Sequence, residues 1–159
     1  MKNIILITFV FFLYSCGYTS VYKNLQNQDF KIIITEMRGD KNMNNLIKNE
    51  INLYSNKNSV NKFNVEIETN YTKEVLTKDG SGLITNYKLS TNAKFVIFFN
   101  GKTKKIVFDE TINITNQTDT FEQDVYEKNI KRNFASIIRD KLISEMLTLQ
   151  HGDGIITVK

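Results

Sequence analysis

Between residues 63 and 72 the chain alternates one for one. Phe63, Val65, Ile67, Thr69 and Tyr71 fall on one side, and Asn64, Glu66, Glu68, Asn70 and Thr72 on the other. A period of two means a strand with one buried face and one wet face. The strand is predicted to run on to about residue 76 and to turn at Lys78-Asp79-Gly80-Ser81-Gly82, where Asp-Gly is a strong hairpin cue. A second long strand is expected over residues 84–99, a turn at Asn100-Gly101, and a third strand over 105–115 with Ile106, Phe108, Ile112 and Ile114 on one side. Three consecutive antiparallel strands make a meander.

Upstream, residues 30–37 (FKIIITEM) form a short β-branched run that reads as a strand broken by Gly39-Asp40. Met43, Leu46, Ile47, Ile51 and Tyr54 then recur at helical spacing, predicting a helix over 42–55 that ends in the polar stretch Asn56-Lys57-Asn58-Ser59. Beyond the meander a long helix is predicted over 120–149. Asp119 or Thr120 would cap it, and Glu122 or Gln123 would complete a capping box. Its apolar stripe is Phe121, Val125, Ile130, Phe134, Ile138, Leu142 and Met146, widened by Ile137, with Lys131 on the outer face. Thirty helical residues span about 45 Å, and the longest strand about 50 Å, so this helix can cover most of one sheet face. The expected fold is α+β, a two-layer sandwich. A roughly four-stranded mixed sheet in the order β-α-β-β-β-α carries both helices on one face. It occupies residues 30–150 as one domain, with 151–159 as a C-terminal tail.

The first residues follow another pattern. Lys2 precedes an apolar run, residues 4–14, and then Leu13-Tyr14-Ser15-Cys16. Eleven helical residues rise roughly 16 Å, about half of a ~30 Å hydrocarbon core, so this is a secretory signal and not a spanning helix. The Leu-x-Ser-Cys box looks like the lipobox of bacterial lipoproteins. Residues 1–15 are therefore expected to be removed, Cys16 to be lipidated, and 16–29 to serve as a tether. Cys16 is the sole cysteine, so no intrachain disulfide is available.

Composition narrows the function. The 144 residues left after the signal can bury roughly two-thirds of their unfolded surface, enough for a core without metals or disulfides. Removal of Lys2 leaves 20 basic against 17 acidic residues, a balance too even for a nucleic-acid partner. His151 stands alone beside glycines, so no zinc site of N and S ligands can be assembled. No nucleophile elbow, P-loop or dinucleotide motif is present. Glu66 and Glu68 share the wet face of a strand. No catalytic residue, cofactor or metal is expected.

Two features suggest binding instead. At Phe95-Val96-Ile97-Phe98-Phe99 both faces of the strand become apolar, so Val96 and Phe98, pointing away from the helices, are either covered by a loop or the chain end or face a partner protein. Burying both would contribute about 3–6 kcal/mol before the costs of association. Lys73 and Lys78 lie near the hairpin, with Lys88 further along, placed to meet an anionic ligand.

This order of parts, with the start Cys16-Gly17-Tyr18-Thr19-Ser20-Val21-Tyr22, resembles the lipopolysaccharide-assembly lipoprotein family LptE. Asp79-Gly80 at the hairpin, Glu122-Gln123-Asp124 opening the last helix, and residues 137–142 within it carry the likeness further. The resemblance implies a non-enzymatic outer-membrane lipoprotein, lipid-anchored and facing the periplasm. It would act as plug and assembly partner of the β-barrel LptD and bind lipopolysaccharide. Lys78 occupies the family's basic position before the hairpin glycine, whereas Asp119 stands where a second basic residue is usual. The alternative is an auxiliary lipoprotein of another envelope lipid-transport or scaffold complex that binds protein only.

Overall fold

The computed structural model describes residues 29–152. Residues 1–28, with the signal, Cys16 and most of the tether, lie outside them, as does the end of the tail from 153 on. The elements are β1 (Lys31–Gly39), α1 (Lys41–Asn52), β2 (Lys62–Lys78), β3 (Ile84–Phe99), β4 (Lys102–Thr115) and α2 (Thr120–Gly152). The sheet order is β1-β2-β3-β4. β1 is parallel to β2, and the other neighbours are antiparallel. This is the expected β-α-β-β-β-α arrangement of a mixed four-stranded sheet.

β1 runs two residues past the expected stop because Gly39 stays in register with Thr69. Its φ of +88° is open to glycine at little cost, and it turns the chain into α1. Asp40 then caps α1, its carboxylate accepting from the Met43 N–H at 2.7 Å. Within the same turn the buried Asn44 donates to the Arg38 carbonyl and accepts from the Thr69 hydroxyl at 3.0 Å, so neither buried polar side chain is left unpaired. At the β3–β4 hairpin both Asn100 and Gly101 take positive φ, the geometry of a two-residue turn matched to strand twist.

The core lies between the sheet and both helices. Met43, Ile47 and Ile51 of α1 and Phe134, Ile138, Leu142 and Met146 of α2 pack on Phe63, Val65, Ile67, Leu89, Phe95, Ile97 and Phe99. Phe63 and Phe99 stack with centroids 4.1 Å apart, and Phe30 meets Phe63 edge-on. Between the helices Arg139, largely buried, pairs with Glu50 and lies over the Tyr54 ring.

The helix stripe departs from expectation at its start. Phe121 is 75 % exposed and Val125 43 %; apart from the buried Gln123, burial begins at Ile130. β1 ends opposite Thr69. Beyond that point the sheet has three strands with α2 alone above them, and the first turns of α2 have less to pack against. Asp119 does cap α2, accepting from the Phe121 and Glu122 N–H groups. Gln123 forms no box with it and instead accepts from the Gln117 N–H at 2.9 Å.

Candidate functional site

The helix-free face of the sheet is built in lateral rows set by strand register. One row reads Glu36, Glu66, Val96, Lys105, and the next Arg38, Glu68, Lys94, Val107. A third, toward the β3–β4 turn, reads Ile33, Asn64, Phe98, Thr103. Inward Phe95, Ile97 and Phe99 are buried, while Phe98 is 36 % exposed and Val96 half-buried. Both outward residues therefore stand where strand alternation places them.

The rows around Val96 and Val107 form a shallow groove of about 280 Å³ with charged walls. Those charges are largely paired within the sheet. Arg38 holds Glu36 through hydrogen bonds of 2.5 and 2.6 Å, and Lys94 reaches Glu68 at 3.4 Å. The bond from Arg38 keeps the Glu36 carboxyl below its ordinary value and pushes the guanidinium up. A floor of Val96 and Val107 between neutralised pairs suits contact with another macromolecule. Among the described residues no histidine, cysteine or serine lines the groove.

The hairpin end of the sheet is arranged differently from the sequence expectation. Lys73 is on the helix side of β2, not at a free tip. Its ammonium lies 2.8 Å from Glu127 of α2 and 4.4 Å from the centroid of the Tyr87 ring. Glu127 also accepts from the Tyr71 hydroxyl at 2.9 Å and pairs with Lys131 at 3.1 Å. Lys131, expected on the outer face, lies over the Tyr71 ring at 4.1 Å. Burial raises the proton affinity of Glu127, but the three donors outweigh it, and the carboxyl sits below its ordinary value. Burial first, then the hydrogen bond to Glu127, pushes the Tyr71 phenol up. Sequence reasoning did not single out Glu127. Its partners on β2 lie 54 and 56 residues away, and no local spacing announces those two.

Lys78 is exposed at the end of β2, with no ion-pair partner among the described residues. Beside it Asp79 accepts from the Ser81 hydroxyl and from the Leu83 and Ser81 N–H groups, which fixes the turn and lowers its own proton affinity. Exposed apolar side chains share this end of the molecule: Leu83 beyond the turn and Phe121 on α2. The structure thus separates Lys73 from Lys78, giving one a structural partner and leaving the other in solvent. Among the described residues no cluster of three or more His, Cys, Asp or Glu could hold a metal, and no helix is long and apolar enough to cross a membrane.

No protein-family model and no curated protein matches this chain. Solved structures do. The chain is similar in fold to rare lipoprotein B from Shewanella oneidensis, with 15 % identity and a TM-score of 0.51, covering 73 % of this chain and 99 % of that one. It is also similar to a protein of Caulobacter crescentus described as a candidate lipoprotein, with 10 % identity and a TM-score of 0.57, over 85 % of this chain and 98 % of the other. At such identities the likeness is one of fold.

Proposed function

We propose that this protein is a lipid-anchored envelope lipoprotein of a Gram-negative bacterium, held in the outer membrane by acylated Cys16 and facing the periplasm. In this reading it serves lipopolysaccharide transport and assembly as plug and partner of the LptD β-barrel, and it binds lipopolysaccharide without catalysing a reaction. The observation that carries the reading is the fold shared with rare lipoprotein B over 99 % of that protein's length. The Leu-x-Ser-Cys box supports it from a separate part of the chain. So does the helix-free sheet face, where Val96, Phe98 and Val107 present apolar surface between paired charges. The test is purification of the tagged protein from detergent-solubilised membranes, with partners and lipids identified. A large β-barrel and lipopolysaccharide are expected together; their absence under conditions that keep the protein folded would overturn the reading.

One observation favours the protein-binding alternative. Lys73 is engaged by Glu127, and Asp119 caps α2, so a two-point cationic contact is not assembled at the hairpin end. An auxiliary lipoprotein of another envelope complex would recover a protein partner and show no affinity for lipopolysaccharide. Direct binding measurements separate the two.

A further inference from the structure

Among the described residues β4 is an edge strand, paired with β3 on one side only. Its central segment reads Lys104-Lys105-Ile106-Val107-Phe108-Asp109-Glu110. The charges are antisymmetric about Val107: two cations before it, two carboxylates after it, and an apolar residue on each side. Antiparallel pairing of this segment with a second copy, centred on Val107, sets Lys105 opposite Asp109 and Lys104 opposite Glu110. The same register sets Ile106 opposite Phe108 and Val107 opposite itself. We infer that the β4 edge is a self-complementary docking surface, through which two copies of this chain join their sheets into one about a two-fold axis at Val107.

The faces agree with that register. Lys105, Val107 and Asp109 are exposed on the helix-free side, and Val107 is 52 % exposed. The half-buried Lys104, Ile106, Phe108 and Glu110 lie on the helix side. Residues directly opposite in the two-fold pair therefore share a face, as cross-strand pairs must. A shift of one residue would set exposed positions against half-buried ones. A shift of two would bring Lys105 opposite Val107 or Thr111 and lose both charge matches, one of these registers gaining only Lys102 opposite Glu110.

The helix layer leaves room for the pairing. Four strands span about 19 Å and two packed helices about 20 Å, so α2 can roof β4 without covering its edge. α2 also holds the helix-side charges in place: Lys104 pairs with Glu145 at 2.5 Å, and Glu110 pairs with Lys141. In the dimer these two pairs from each copy join through Lys104 and Glu110 into a continuous ion network. Lysines on an edge strand ordinarily discourage edge-to-edge pairing. Here the antiparallel register places Lys104 and Lys105 each against a carboxylate, with Lys102 opposite Ile112 outside the central segment, so the central charges favour this register. Such an isologous interface is closed and cannot propagate into a filament. It requires neither a barrel nor a lipid.

The test uses the full chain carrying Cys16→Ala, in mild detergent, so that an introduced cysteine is the sole thiol. Light scattering is expected to show a dimer, and Val107→Cys to give a disulfide-linked dimer under mild oxidation. Thr111→Cys should not cross-link, because two copies of that residue lie about 27 Å apart in this register. Lys105→Glu alone should raise the dimer dissociation constant about tenfold, since each substitution spoils two symmetry-related contacts. The swap Lys105→Glu with Asp109→Lys should restore it. Both residues are exposed, so the variants are expected to fold. A monomer at the highest soluble concentration, equal cross-linking at Thr111→Cys, or a swap that fails to restore dimerisation would each overturn the inference. So would cross-linking of Val107→Cys to a different protein in intact cells with no homodimer formed.

Discussion

The Glu127 carboxylate of α2 and the Lys73 ammonium of β2 stand 2.8 Å apart, and this pair, with Tyr71 and Lys131, fastens the exposed end of the long helix to the sheet. Glu127 is the shared acceptor. Its folded proton affinity is depressed, so the stability it contributes is complete above the unfolded carboxylate value, about 4.3, and is lost as pH falls through the lower folded value. Glu127→Gln is therefore expected to cost about 1–2 kcal/mol near neutral pH. The difference from the parent should shrink below pH ~4. Urea titrations at neutral and acid pH would read it. A gap that persists unchanged in acid would mean that packing, not charge, carries the effect.

Gly39 is held by backbone geometry and not by any side-chain contact. A Cβ at this position would come within 1.9 Å of the Thr69 carbonyl oxygen, and the φ of +88° disfavours every other residue. Gly39→Ala should destabilise the fold by about 2–4 kcal/mol. Gly82→Ala, where a Cβ meets nothing within 4 Å, should cost less despite a similar φ. Thermal melts of the two variants side by side would check the ranking.

Where local chemistry decides, the chain announces its structure. Alternation from Phe63 marks β2, the glycine turns frame β3 at Ile84–Phe99, and Met43, Ile47 and Ile51 define the buried side of α1. The outward placement of Val96 and Phe98 follows from the same alternation. What local pattern could not supply depends on distant neighbours. The apolar character of Phe121 and Val125 predicts burial, but the sheet beneath them has lost β1 and α1. Lys73 reads as a solvated cation because Glu127 and Tyr87 reach it only after the chain has folded back, and Lys131, although four residues from Glu127, is drawn inward by the distant Tyr71 ring. The Gly39 extension of β1 likewise depends on a carbonyl thirty residues away.

Cys16 is expected to be diacylated in cells and to form the mature N-terminus. Two or more acyl chains give stable anchoring where one is marginal. Cys16→Ala should leave the protein uncleaved or soluble. Mass spectrometry of the mature N-terminus checks this directly, and a free thiol there would remove the anchor from the proposed function.

Among the described residues Lys78 has no ion pair, so this hairpin-end lysine is available to a phosphate. An exposed Lys–phosphate contact is modest and screened by salt. Lys78→Glu should weaken lipopolysaccharide binding several-fold at low salt and by less at high salt. Lys131 would be a poor control, because it is bound to Glu127 and Tyr71. Lys128, exposed on the same helix, is suitable. Equal affinities for Lys78→Glu and Lys128→Glu would exclude the hairpin end as the point of contact.

Phe98 tests the sheet face itself. Its neighbours Ile97 and Phe99 are buried under the helices, while Phe98 lies in the outer row between Asn64 and Thr103. It is 36 % exposed and Val96 is half-buried, so both have already left much of their surface out of water. Burying the remainder would contribute about 1–2 kcal/mol in total, below the 3–6 kcal/mol expected for fully exposed side chains. The patch can therefore help to seat the protein against a partner but cannot hold it alone. Phe98→Asp should leave a folded chain, destabilised by about 1–2 kcal/mol, and should lower recovery of the barrel partner. Lys88→Asp, on the same face at the far end of β3, should leave that recovery unchanged if the contact is centred on Phe98. Circular dichroism melts and quantitative co-purification would measure the two effects separately. Unfolding of the Phe98→Asp chain would place that ring among the residues that hold the sheet together and remove it from the docking face.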